Sequence, residues 1–398
     1  MNPAFLGMLT LCAALLGYTL LRGAGAASDE WPLAGAGLSL LVLLAAAHKT
    51  DGLFRRWWPL LALPAYIALQ LLPGPIHSVA PWLTLMQLLR ICTYLAVFVV
   101  LFEIAAAHPG REWGLLAIPL VYGCAEAVLG LGRHLIRGDD NYAIGTLGDH
   151  SHFAGLMELL LPLALAWAVY RGRLLDWAPA ALIMGALLHS FSRMGLLASV
   201  AAVTAMVMFR TRKLFQTAAA TAALTGVILL FAPTGLGERF ARIYTYEGFR
   251  NDAHLVRWHD TLRLIAERPV FGSGAGSFPI AFAPYDTSGK SVSATHADND
   301  YLQLMGEFGA VGTLAMLSLL ALALRRCLRT GVSNFAALGC AGAMIALLVH
   351  SIFEFQMYVP ANMLTLAWIS GVGCGIPCRD RVLQPHQVPV CKTSPAFT

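Results

Sequence analysis

The sequence predicts an all-α integral membrane protein with about twelve transmembrane helices and one long polar segment between the ninth and the tenth. Three observations predict it. The 398 residues are 58% hydrophobic and only 12% charged, with a mean hydropathy of +0.66, whereas a soluble domain carries about 25% charged residues. Apolar runs of roughly 17 to 25 residues, the length a helix needs to cross the hydrocarbon core, recur from end to end. Lysine and arginine fall unevenly on the two sides that these runs define.

The runs centre near Leu11, Leu40, Ala65, Ala96, Ile118, Leu161, Ile183, Val200, Leu224, Met316, Ile345 and Ala367. The first has only Met1 to Phe5 ahead of it and no A-x-A-like cleavage site, so it reads as a retained anchor with a cytoplasmic N-terminus. That orientation gives the cytoplasmic segments fifteen lysines and arginines and leaves Arg22, Arg133, Arg137 and Arg193 in the short outer loops, as the positive-inside rule requires. The net charge of +5 mostly restates this bias. The chain then divides into residues 1–232 with spans one to nine, 233–299 as an outer loop, 300–375 with spans ten to twelve, and 376–398 as a cytoplasmic tail.

The eight cysteines avoid the long outer loop, so they read as packing residues or reduced cytoplasmic thiols. Cys374, Cys378, His386 and Cys391 have a C-x3-C spacing that departs from the usual zinc pattern. No metal site is expected.

Within the outer loop, "NDAHLVRWHDTLRLIAERP" reads as an amphipathic helix. Asn251 or Asp252 caps its start, Leu255, Trp258, Leu262 and Ile265 form its apolar stripe, and Pro269 stops it. "FGSGAGSF" follows as a Gly-rich turn whose amides can face a phosphate, although it lacks a P-loop lysine. The loop splits the spans nine to three without an internal repeat. A transporter built from two six-span halves would place its long connection after the sixth, which disfavours that class.

Ionisable groups at membrane depth or at its edge are costly and so are functional candidates. Three clusters face the outer side in this topology: Asp149, His150 and His152 in "GTLGDHSHFAG", His189, Ser192 and Arg193 in "HSFSRMG", and His350 and Glu354 in "HSIFEFQMYVPAN". Arg257, on the loop helix, lies above them. Each has a plainer reading: Arg193 as a snorkelling interface residue, Arg257 as a solvated helix charge, His150 and His152 as interface residues. Arg90, inside the fourth span, reads as a structural partner of Glu103 or Glu126.

"THADNDYLQLMGEFGAVG" is harder to explain as a bland loop. A helix starting near His296 would place His296, Asn299, Gln303 and Glu307 on one face, and Gly306, Gly309 and Gly312 would admit a neighbouring helix closely. A membrane-edge histidine suits a general base. Asp298 and Asp300 form a D-x-D, but on a helix they point apart and would not share an ion.

These stretches carry a family resemblance over nearly the whole chain. "GTLGDHSHFAGLMELLLPLAL", "SFSRMGLLAS", "RWHDTLRLIAERPVFGSGAGSF", "HADNDYLQLMGEFGAVGT" and "HSIFEFQMYVPAN" occur in an order that resembles the O-antigen ligase and polymerase superfamily of bacterial envelope polysaccharide proteins. The resemblance implies a GT-C-type fold. It also implies metal-independent, inverting transfer of a glycan from undecaprenyl diphosphate to an acceptor hydroxyl on the periplasmic face of the inner membrane, with no cofactor. The acceptor is a glycan, lipid A-core or another hydroxyl; membrane lipids are further partners and nucleic acid is not one.

Carried over by position, Arg193 and Arg257 would hold the diphosphate, because two guanidiniums can clamp its oxygens bidentately. The family histidine would take the acceptor proton. In the ligases that histidine directly precedes the asparagine; here Asp298 stands in that place and His296 lies two residues earlier, matching the first histidine of an H-x-H-N variant. His296 is therefore expected as base or acceptor binder, with Asp298 orienting it or taking the base role itself. His150, His152, Ser192, Asn299, Glu307 and Glu354 are expected to support the pocket. A polysaccharide polymerase or a protein O-oligosaccharyltransferase would use the same scaffold; a lipid or polysaccharide transporter and a non-catalytic assembly partner are the readings from other classes.

Overall fold

The structure, a computed structural model, describes residues 3–22, 35, 37, 56–138, 141–233, 236–237, 253–288 and 294–378. All of its regular elements are helical. They are α1 (Pro3–Leu21), α2 (Ala62–Leu69), α3 (Pro81–Ala107), α4 (Glu112–Leu131), α5 (His150–Arg171), α6 (Ala178–His189), α7 (Arg193–Thr211), α8 (Leu214–Phe231), α9 (Ala253–Glu267), α10 (Asp300–Gly331), α11 (Phe335–His350) and α12 (Pro360–Gly375). Short polar residues set several starts by accepting the free amides of a first turn. Asp149 caps α5 through Ser151 N and His152 N, Ser192 caps α7 through Gly195 N, Asn299 caps α10 through Leu302 N, and Asn334 caps α11 through Ala336 N and Ala337 N.

Six of these elements are long and apolar enough to cross a membrane: Pro81–Ala107, Glu112–Arg137, His150–Arg171, Arg193–Thr211, Leu214–Phe231 and Asp300–Gly331. The protein is therefore a multi-pass membrane protein. The expected count of about twelve is corrected to six among the described residues, and nothing in the helix arrangement supports the GT-C-type fold. The reason is that hydropathy counts apolar side chains, whereas capping residues and proline set helix length. The runs around Ile183 and Ile345 yield apolar helices of only Leu174–His189 and Phe335–His350, and α12 has 16 residues. A 16-residue helix reaches about 24 Å, short of the roughly 30 Å hydrocarbon core. The run around Ala65 is shorter still, Trp58–Leu69, and that around Leu40 lies outside the described residues.

α5 is buried on almost every side and forms the centre of the bundle, packed by α6, α7, α11 and α12. A helix that is apolar all round belongs in such a position. α12 lies against α3 at backbone distance: a Cβ on Gly371 would stand 2.6 Å from the Phe98 carbonyl oxygen, and one on Gly375 would stand 2.5 Å from that of Phe102. Glycines four residues apart thus allow close helix contact. α8 packs on α7 and leaves most of its surface exposed, as a lipid-facing helix does.

α10 is two helices in one. Gly309 adopts φ 60 and ψ −172, conformations closed to other residues, and the chain 268–272 fills the break. Ala310 N donates to Pro269 O at 2.8 Å and Val311 N to Val270 O at 3.1 Å. The carbonyls freed at the break accept from Ser273 N, Gly274 N and the Tyr66 hydroxyl. Gly309 therefore admits an extended segment, while Gly306 faces Leu264 and Ile265 of α9 and Gly312 faces Tyr66 of α2.

α9 ends at Glu267, just before Pro269, as expected. Its caps, Asn251 and Asp252, lie outside the described residues. Its buried face is not the expected stripe. Asp260, Thr261 and Leu264 are buried, while Leu255 and Leu262 are exposed. Polar bonding decides this orientation, since Asp260 Oδ2 accepts from Thr287 N at 2.9 Å and Thr287 Oγ1 at 2.6 Å.

Candidate functional site

The starts of α3, α5, α7, α10 and α12 and the ends of α6 and α11 meet at one end of the bundle, beneath α9. Ala143 N bonds His189 O, Val79 N bonds Ser273 O, and Asp300 N bonds Ser351 O, which ties these ends together. The polar residues singled out in the sequence collect here.

α9 grips Asp298 twice. Arg257 donates to Asp298 Oδ2, and Trp258 Nε1 donates to the Asp298 carbonyl at 3.1 Å. His254 Nδ1 lies 3.4 Å from the same carboxylate. Asp298 itself takes φ 51, a left-handed conformation that aspartate tolerates better than most residues. Burial lowers the pKa of the Arg257 guanidinium despite the opposing pull of Asp286 and Glu354.

His296 precedes α10 rather than lying on it, so the expected single face of His296, Asn299, Gln303 and Glu307 does not form. Its ring instead stacks on Phe355, with centroids 4.0 Å apart and planes 8° from parallel, and meets the edge of Tyr358 at 5.8 Å. His152 packs edge-on against Phe355 at 4.8 Å. Burial, followed by the cationic fields of His152, Arg90 and Arg257, pushes the His296 imidazole down to about 3. It is neutral at ordinary pH. His150 packs beside Tyr142 at 5.0 Å.

Glu354 lies in the turn between α11 and α12, where Ser151 Oγ donates to it at 3.0 Å. Burial pushes its carboxyl up to about 7; the Ser151 hydroxyl, Arg257 and Arg193 oppose that rise and Asp149 adds to it. Both arginines therefore act on one carboxylate. Arg193 reaches this position because Ser192, buried and capping α7, fixes the first turn. Asp149 is itself partly buried, which raises its pKa, but His152, the amides of His152 and Ser151, and His150 outweigh burial and lower it.

Glu307 lies on α10, facing the Gly-rich turn. Fully buried, it accepts from Gly276 N at 2.7 Å, Phe278 N at 3.1 Å, Gln303 Nε2 at 3.2 Å and the Tyr358 hydroxyl at 2.9 Å. Amides of the Gly-rich turn are thus taken by the protein's own Glu307 carboxyl group. Ala275 N is also taken, by Gln70 Oε1 at 3.0 Å. Asp300, the other acid of the D-x-D, accepts from Met357 N at 2.9 Å, so the two aspartates serve different partners.

The expected pairing of Arg90 does not occur. Glu103 accepts from Trp57 Nε1 at 2.8 Å and pairs with Arg56 at 3.5 Å, while Glu126 accepts from Thr146 N and Oγ1. Sequence reasoning also passed over Glu158, which sits in the middle of α5 with Oε2 2.8 Å from His350 Nδ1, both residues fully buried. A carboxylate inside an apolar run is a signal the sequence carried. Phe355 and Tyr358 had no such signal, because aromatic residues are ordinary in apolar segments. Cys374 is buried 3.7 Å from Cys327, and His386 and Cys391 lie outside the described residues.

Residues 178–317 match the model of the family described as O-antigen ligase, Wzy_C. That stretch is related to the O-antigen ligase/Wzy superfamily. It contains Arg193, Arg257, His296, Asp298, Asn299 and Glu307, while His150, His152 and Glu354 lie outside it. No curated protein matches the chain.

Proposed function

We propose that the protein transfers a glycan from undecaprenyl diphosphate to an acceptor hydroxyl at the periplasmic face of the bacterial inner membrane, with both termini in the cytoplasm. One observation carries this reading: within a membrane protein related to the O-antigen ligases, Arg193 and Arg257 act on a common carboxylate beside a neutral, ring-stacked histidine.

The acceptor oxygen attacks the anomeric carbon from the face opposite the diphosphate. The bond from that carbon to the diphosphate oxygen breaks, its electron pair leaves with the oxygen, and the configuration inverts. Arg193 and Arg257 neutralise the leaving diphosphate with bidentate, charge-assisted hydrogen bonds, so the reading requires no metal ion. His296 takes the acceptor proton. The ligand-free imidazole is a weak base because cations surround it; the diphosphate's negative charge reverses that field and strengthens the base when the donor is in place. Asp298 holds Arg257, and Glu354 keeps both arginines facing one volume until the diphosphate replaces it.

The test is the glycan profile of a strain lacking this protein, complemented with wild type, His296→Ala or Arg257→Ala after folding and insertion are verified. Polymer stranded on the lipid carrier is expected for a ligase, and single repeat units where long chains belonged for a polymerase. Wild-type glycan transfer by both variants would sink the proposal.

A further inference from the structure

Arg90 is a cation inside a membrane-spanning helix, and none of the described carboxylates pairs with it. Its Nε is shielded from solvent and has no hydrogen-bond partner. Both acids that the sequence offered it are engaged elsewhere, Glu103 by Trp57 and Arg56 and Glu126 by Thr146. A charge at such depth is costly unless something balances it.

Its direction follows from the helix. α3 starts against the Gly-rich turn: Thr84 Oγ1 donates to Ala275 O at 2.8 Å, and a Cβ on Gly276 would stand 3.0 Å from the Leu83 carbonyl oxygen and 3.2 Å from the Gln87 side chain. Steps of four and three residues from Leu83 through Gln87 return to the same face at Arg90. That places Arg90 about 13 Å along the helix from Pro81. The contacts continue from Gly276 to Glu307, from Glu307 to Tyr358, and from Tyr358 to the His296 ring. The Arg90 charge is also among those that depress the His296 imidazole.

We propose that Arg90 is a third guanidinium of the donor site, binding phosphate oxygens of the diphosphate lipid from the membrane side. This rests on the transfer reading above. Arg193 and Arg257 stand at the first turn of α7 and on α9, nearer the mouth. Arg90 stands deeper, where the diphosphate joins its polyprenyl chain.

The experiment uses the full-length protein in phosphatidylcholine nanodiscs and reads its thermal midpoint while undecaprenyl diphosphate or phosphatidylglycerol is titrated in. For wild type, undecaprenyl diphosphate is expected to raise the midpoint. Arg90→Gln is expected to bind it at least about 10-fold more weakly, with Arg90→Lys in between. The lipid-free midpoint of Arg90→Gln is expected at or above that of wild type, since an unbalanced charge has been removed. Equal diphosphate affinity in Arg90→Gln overturns the proposal, as does a lower lipid-free midpoint in both variants, which marks a structural residue. An Arg90-dependent shift of equal size with phosphatidylglycerol also overturns it, because the site would then be one for phospholipid headgroups. If undecaprenyl diphosphate does not stabilise wild type at all, the transfer reading itself fails.

Discussion

Arg257 donates to the carboxylate of Asp298, and the next residue of α9, Trp258, donates to the Asp298 carbonyl at 3.1 Å. Consecutive side chains of a helix 40 residues away in sequence thus hold one residue in a left-handed conformation beside His296. α9 is fixed to the mouth by this grip, and Arg257 is aimed by it. Asp298→Asn keeps the shape but loses the charge. Transfer is expected to fall by about 10-fold, through donor KM more than kcat, because a charge-assisted bond contributes roughly 1.5–3 kcal/mol. Arg257→Ala is expected to lose far more. Steady-state kinetics of both variants in detergent check this, and an unchanged donor KM for Asp298→Asn contradicts it.

Two groups at the mouth give stability opposite pH slopes. The Glu354 carboxyl is pushed from its ordinary value of 4.5 up to about 7, so within that window the folded chain keeps a proton that the unfolded chain releases, and stability falls as pH rises. The His296 imidazole is pushed from 6.5 down to about 3; there the unfolded chain binds a proton that the folded chain refuses, and stability rises with pH. Glu354→Gln removes only the first slope. Its thermal midpoint should exceed that of wild type at pH 7.5, and the gap should close toward pH 5. A gap independent of pH would show that the Glu354 carboxyl is not raised.

The same carboxylate competes with the donor's phosphates for Arg193 and Arg257. Protonation below about 7 removes its charge, so donor binding should tighten as pH falls. Glu354→Gln should bind donor tightly at every pH, by roughly threefold to tenfold over wild type at pH 8. Binding titrations of undecaprenyl diphosphate at pH 6 and 8 provide the comparison. A donor affinity for Glu354→Gln that still changes with pH as wild type does would contradict the competition.

Gly309→Ala should destabilise the protein more than a typical surface change. A positive φ with extended ψ, essentially reserved for glycine, costs an alanine on the order of 1–3 kcal/mol, and its Cβ would also collide with the Val270 carbonyl. Glu307→Ala should be comparably severe, because it strands the amides of Gly276 and Phe278 at about 1–3 kcal/mol for each buried group left unsatisfied. Limited proteolysis at residues 268–278, together with thermal unfolding, reads both. Protection equal to wild type would show that the turn does not depend on α10.

Phe355→Ala removes the plane on which His296 stacks and against which His152 packs. Transfer is expected to drop about 10-fold, with folding largely intact because the residue is only partly buried. Phe355→Tyr should restore most of the rate. Failure of that rescue, or full activity of Phe355→Ala, would show that the stack does not orient the imidazole.

The sequence by itself determined the solvent and much of the chemistry. A chain with 12% charge and recurrent apolar runs must be helical in lipid, since only internal hydrogen bonds satisfy its backbone there. Polar residues that border such runs at the membrane edge are costly enough to be noticed one at a time, which is how Arg193, His296, Asp298 and Glu354 stood out, while Arg257 stood out through the family resemblance. Hydropathy did not determine helix length, because caps such as Asn334 and the break at Gly309 act on a few backbone groups. Pairing also depended on the fold. Whether Glu103 meets Arg90 or Trp57, and whether the Gly-rich amides face a phosphate or Glu307, depends on residues 29 to 46 positions apart arriving within about 3 Å. Local spacing carries no information about that distance, so only the tertiary structure decided it.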